Sequence, residues 1–66
     1  MMIVVNGESR EISEGLTVQQ LLQQLDLQGK RVALEVNLEI VPRSQYAAHV
    51  LRHGDRVEVV HAIGGG

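Results

Sequence analysis

The chain has 66 residues, no cysteine, a single aromatic residue and a formal charge of −2. That length holds one core at most, and a hydrophobic fraction of 44% excludes an intrinsically disordered chain. Without cysteine there is no disulfide, no thiolate nucleophile and no cysteine-rich zinc site, and one thin aliphatic core leaves little room for the enclosed pocket of an autonomous enzyme.

Met2 to Val5 is a β-rich run, followed by Asn6-Gly7, the dipeptide that most favours a tight type I′ hairpin because both residues tolerate positive φ. The return strand, Glu8 to Ile12, is polar enough to suit a sheet edge, where charge discourages pairing with other chains. Ser13-Glu14-Gly15 reads as a turn. A helix starts next. Thr17 is its expected N-cap and Gln20 completes a capping box, with Leu16 and Leu21 placed for a hydrophobic staple. Val18, Leu21, Leu22 and Leu25 form one apolar stripe, and Gln19, Gln20, Gln23 and Gln24 the opposite face. Gly29 is the expected left-handed residue past the helix end, with Lys30 and Arg31 favourably near the negative end of its dipole.

Val32 to Asn37 alternates as a strand with Val32, Leu34 and Val36 inward. Leu38-Glu39 is a short connection to a second short strand, Ile40-Val41, stopped by Pro42. Tyr46, Ala47, Val50 and Leu51 have helical spacing, predicting a turn or short helix over one end of the core. Gly54-Asp55 is a turn. Arg56 to His61 is the last strand, with Val57 and Val59 inward and Val60 outward. One helix with one apolar face covers one side of one sheet, and a hairpin followed by a crossover helix lets the first strand pair in parallel with a later one. The expected fold is therefore α+β, a ubiquitin-like β-grasp with a mixed sheet packed on one main helix.

Few residues carry chemistry. His49 and His53 stand four apart, and His61 lies on the last strand. The pair lacks the glutamate of a zincin motif, so the three read as ordinary imidazoles and no metal site is expected. The carboxylates are scattered, Ser9, Ser13 and Ser44 lack a nucleophile-elbow context, and the turn glycines form no phosphate-binding loop. No basic block or aromatic platform suggests nucleic acid. No apolar run approaches the ~20 residues of a membrane span, and the first residues do not resemble a signal peptide.

There remain Gly64, Gly65 and Gly66. Such an end reads either as a flexible tail or linker or as a reactive terminus. In the second reading the Gly66 carboxylate is the reacting group. Glycines lack Cβ and can thread a narrow channel, and a poorly electrophilic carboxylate requires activation, most simply as an acyl-adenylate.

With these residues the chain resembles, over its whole length, the ubiquitin-like sulfur carriers of thiamine biosynthesis, the ThiS family. The resemblance rests on Met2-Ile3-Val4-Val5-Asn6-Gly7, Thr17-Val18-Gln19-Gln20-Leu21-Leu22, Val32-Ala33-Leu34-Glu35-Val36-Asn37, Ile40-Val41-Pro42-Arg43-Ser44, and Gly54-Asp55-Arg56-Val57-Glu58-Val59-Val60 running on to Gly65-Gly66. It implies a β-grasp domain over residues 1–63 and a flexible reactive tail over 64–66. It further implies a co-substrate rather than a catalyst. An E1-like adenylating enzyme of the ThiF type would use ATP and Mg²⁺, neither bound by the carrier itself, to adenylate Gly66. A persulfide donor would convert the adenylate to a thiocarboxylate, and a thiazole synthase of the ThiG type would take the sulfur. Gly65 serves the reacting end, while Gly64 and the outward Val60 are the expected partner contacts. The small subunit of molybdopterin synthase, with the same fold and ending, is the nearest alternative, although such chains tend to be longer and to carry core aromatics. A β-grasp interaction module with an unreactive tail is the other. The carrier is expected to be cytoplasmic and monomeric, with no membrane or nucleic-acid partner.

Overall fold

Asn6 and Gly7 take positive φ of 49° and 84°, and around them the chain folds into a hairpin of strands β1, Met2–Val5, and β2, Glu8–Glu11. This computed structural model describes residues 1–61. β2 lies at an edge, as its polarity predicts. Ile12, just past it, turns into the core and is buried.

The helix α1 spans Val18–Gln24. Thr17 caps it: its hydroxyl accepts from the Gln20 N–H at 3.2 Å, and the Gln20 side chain accepts from the Thr17 N–H at 2.9 Å. Two of the N–H groups that a helix start leaves unpaired are thus satisfied. Val18, Leu21 and Leu22 are buried, and Leu25 is half-buried against the core.

The helix ends earlier than Gly29 suggested. Leu25 is the C-cap and Asp26 takes the left-handed position at φ 60°. The Leu27 N–H bonds the Leu22 carbonyl at 2.8 Å and the Asp26 N–H bonds the Gln23 carbonyl at 3.1 Å. These are the two bonds of a Schellman motif. Leu27 packs on the core, so the apolar contact of that motif outweighs the backbone preference for glycine. Gly29, with φ 75°, serves the next turn. Lys30 closes that turn, its N–H bonded to the Leu27 carbonyl at 3.1 Å, Arg31 follows it, and no basic residue stands in the last turn of the helix.

Strand β3, Val32–Val36, buries Leu34 and Val36 and half-buries Val32. It turns at Asn37 and Leu38, both at positive φ, 53° and 70°, into β4, Glu39–Ile40. The strand expected at Ile40-Val41 is thus shifted by one residue, and Val41 is a core residue that still donates to the Leu34 carbonyl at 2.9 Å. Arg43–Gln45 is a single 3-10 turn. Tyr46 and Leu51 plug one end of the core, whereas Ala47 and Val50 are exposed. The helical spacing seen there does not extend beyond that turn, because Val50 bridges to Thr17 in an extended conformation.

Strand β5, Arg56–His61, completes a mixed sheet of order β2-β1-β5-β3-β4. β1 and β5 run parallel and the other pairs are antiparallel. Ile3, Val5, Leu34, Val36, Val57 and Val59 of the sheet meet Val18, Leu21 and Leu22 of the helix in one core. This is the β-grasp arrangement. No helix among the described residues is long and apolar enough to cross a membrane.

Candidate functional site

β5 is the central strand of the sheet and leads directly to the glycine end. Gly64, Gly65 and Gly66, and with them the expected boundary after residue 63, lie outside the described residues. What the structure defines is the base from which that end departs.

On one side β5 pairs with β3 along its length, from Val36↔Val57 to Val32↔His61. On the other it pairs with β1 at only two positions, Val4↔Arg56 and Val5↔Val57. The last backbone bond of that ladder runs from the Asn6 N–H to the Val57 carbonyl at 2.9 Å. At Asn6 the chain turns away. The Asn6 side chain stays behind: its Oδ1 accepts from the Val59 N–H at 2.8 Å and its Nδ2 donates to the Val59 carbonyl at 3.2 Å. A carboxamide carries the same donor and acceptor as a peptide, so this side chain continues the ladder by one step.

A second asparagine fixes the start of the strand. Asn37 Oδ1 accepts from the Arg56 N–H at 2.9 Å, and its Nδ2 donates to the Asp55 carboxylate at 3.0 Å. The Asn37 N–H donates to the Arg56 carbonyl at 2.8 Å. Sequence spacing reads Asn6 only as a turn residue and Asn37 only as the last residue of a strand. Their role in holding β5 depends on a register that sequence spacing does not reveal.

Val57 and Val59 are buried, and Val60 is 58% exposed, so Val60 points outward as the alternation requires. The register places Val60 opposite Ala33, and Glu58 opposite Glu35, which in turn faces Ile40. The outer face of the sheet therefore carries apolar side chains around two adjacent carboxylates, close to where β5 ends. Like charges directly opposite one another weaken a sheet.

The histidines do not converge. The segment holding His49 and His53 is not helical, so the pair lacks the geometry of a two-histidine ligand. His53 Nδ1 instead accepts from the Met2 N–H at 3.0 Å, and the His49 carbonyl accepts from the Val18 N–H at 2.9 Å. Among the described residues no group of histidines and carboxylates has the arrangement of a metal site.

A β-grasp domain whose central strand is followed in sequence by a glycine end has the architecture of the ubiquitin-like carriers. The ThiS family model matches residues 3–66. The chain is 39% identical to the sulfur carrier protein ThiS of Escherichia coli over the full length of both. It superposes on the crystal structure of the thiamine biosynthesis protein ThiS from Geobacter metallireducens with a TM-score of 0.87 and 35% identity, covering all of both chains. All of it is also 48% identical to part of a thiazole synthase from Paramagnetospirillum magneticum, of whose length it spans 20%. The chain belongs to the ThiS family. It is a ubiquitin-like sulfur carrier of thiamine biosynthesis and not a catalyst, and thiazole synthases with a ThiS-like stretch link this family to that enzyme. Of the two glycine-ended carriers considered from sequence, this is the thiamine one.

Proposed function

We propose that the Gly66 carboxylate is the sulfur-bearing group. Full-length similarity to sulfur carriers is the observation that carries this reading. A ThiF-type adenylating enzyme brings ATP and Mg²⁺. A Gly66 carboxylate oxygen attacks the α-phosphorus, and pyrophosphate leaves. The terminal sulfur of a persulfide donor then attacks the acyl carbon and expels AMP, forming an acyl disulfide. A thiol breaks its S–S bond, releasing the Gly66 thiocarboxylate and leaving a disulfide on the donor side. A ThiG-type thiazole synthase takes the sulfur. Gly65 keeps the reacting end thin, Gly64 links it to the domain, and the cysteine-free monomer works in the cytoplasm.

Val60 and its neighbours on the outer face form the docking surface for these partners. In the P. magneticum thiazole synthase the similar stretch shares one chain with the rest of the protein. Covalent linkage raises effective concentration, which favours direct contact between the two units. Val60→Asp should leave the melting temperature nearly unchanged, because position 60 faces away from the core, while weakening binding to the adenylating enzyme or the synthase. Titration calorimetry with each partner reads this, and unchanged affinity for both rejects the surface.

Intact mass tests the carrier reading itself. After incubation with ATP, Mg²⁺, a ThiF-type enzyme and a persulfide donor, the protein should gain the mass of a sulfur-for-oxygen exchange confined to the last residue. An unchanged mass, with the enzyme shown active on another carrier, overturns it.

A further inference from the structure

We infer that Asn6 is a positioning residue for the reaction at the far end of the chain: its side chain clamps β5 at Val59 and so aims the glycine end. The inference rests on the carrier reading above. β1 supports β5 by backbone pairing only as far as Val57, and the last support from that side is the Asn6 carboxamide, bonded to both the N–H and the carbonyl of Val59. Beyond Val59 the strand is paired from the β3 side alone, ending at Val32↔His61.

The lever behind this clamp is long. Seven residues, Val60 to Gly66, follow Val59. Threaded extended into a partner at about 3.4 Å per residue, they span about 24 Å. A swing of about 5° at Val59 moves the far end of such a lever by about 2 Å. In-line attack on a phosphorus tolerates little of that, since a misplacement of ~1 Å can cost about a hundredfold in rate.

The turn does not itself require this side chain. Positive φ at position 6 is met equally well by glycine and readily by aspartate. Asn6 is the residue that serves both the turn and the clamp. Glycine abolishes both bonds to Val59. Aspartate keeps the shape and the acceptor, but it sets a carboxylate oxygen against the Val59 carbonyl where the amide donated.

Asn6→Gly and Asn6→Asp therefore separate turn from clamp. Three quantities are measured for each at 25 °C: folding by circular dichroism, exchange of the Val59 amide proton by NMR, and kcat and KM of ATP–pyrophosphate exchange by a ThiF-type enzyme with the carrier as variable substrate. Both variants should remain folded. Asn6→Gly should lose the protection of the Val59 amide. In both, kcat should fall about tenfold to a hundredfold, with KM changed less than about twofold because the outer face is untouched. A folding defect alone would raise the apparent KM by lowering the competent fraction, leaving kcat in place. If the Val59 proton of Asn6→Gly is unprotected while kcat equals that of the wild type, or if the loss lies in KM, the clamp has no positioning role and the carrier reading stands. If the wild-type chain itself supports no exchange, the carrier reading falls and this inference with it. Should Asn6→Gly not fold, Asn6→Asp alone decides by the same kcat criterion.

Discussion

Gly66→Ala, Gly65→Val and a C-terminal extension should each abolish ATP–pyrophosphate exchange and thiocarboxylate formation while leaving the melting temperature where it was. The proposed adenylation would place a carboxylate oxygen in line with the α-phosphorus of ATP, in a site supplied by another protein. In the proposed mechanism a Cβ at position 65 or 66 would meet the wall of a channel shaped for glycine and push that oxygen out of line, and a displacement of ~1 Å can cost about a hundredfold in rate. An extension removes the carboxylate altogether. Gly64→Ala should be much milder, because that residue is farthest from the reacting atom. None of these residues has a side chain to bury, so calorimetry should register no loss of stability. A C-terminally extended protein that restores thiazole synthesis with its extension still attached would falsify the carrier mechanism.

Leu21→Ala should act at the opposite end of the causal chain. Leu21 is inaccessible to solvent and sits where the helix meets the sheet. Truncating a buried leucine removes its transfer energy and leaves a cavity, together ~2–5 kcal/mol. In a domain this size each ~1 kcal/mol shifts the melting temperature by roughly 4–8 °C, so a fall on the order of 10 °C or more is expected by thermal denaturation. Much of the total stability of such a small domain is at stake. Any loss of sulfur transfer in this variant should then track the unfolded fraction and vanish on cooling. A melting temperature lowered by less than a few degrees would show that the helix does not carry the core.

The contrast between these variants reflects what a sequence can disclose. The capping box at Thr17 and Gln20, the apolar stripe of α1 and the alternation of β5 are local patterns, and each appears in the structure as read. A hairpin placed before a crossover helix lets β1 pair in parallel with a later strand, and the structure shows that strand to be β5. The helix end was misread because Gly29 is the better left-handed residue in isolation, while Leu27 gains burial only if Asp26 takes that role. The connection expected at Leu38-Glu39 sits one residue earlier, at Asn37-Leu38, for a similar reason. Leucine at φ 70° is not a turn signal, and the position is imposed by pairing Val36 with Glu39. The outward Val60 was legible because alternation names it directly. The hold of Asn6 on Val59 was not, because those residues lie 53 apart in the chain and meet only once the sheet is assembled.

That same asparagine carries a liability in its covalent chemistry. Gly7 has no side chain to obstruct its backbone nitrogen, which can attack the amide carbon of Asn6, close a cyclic imide and expel ammonia. Water reopens the ring to aspartate or isoaspartate. In the folded protein the amide is tethered on both its oxygen and its nitrogen by Val59, and it must leave that strand before the ring can close. The carrier should therefore deamidate at the rate at which its sheet opens, faster when warm and slower in complex with a partner that secures β5. The aspartate product sets an acid against the Val59 carbonyl, and the isoaspartate product reroutes the backbone through its side chain and so removes the clamp. An ageing preparation should thus lose its competence as a substrate before it loses its fold.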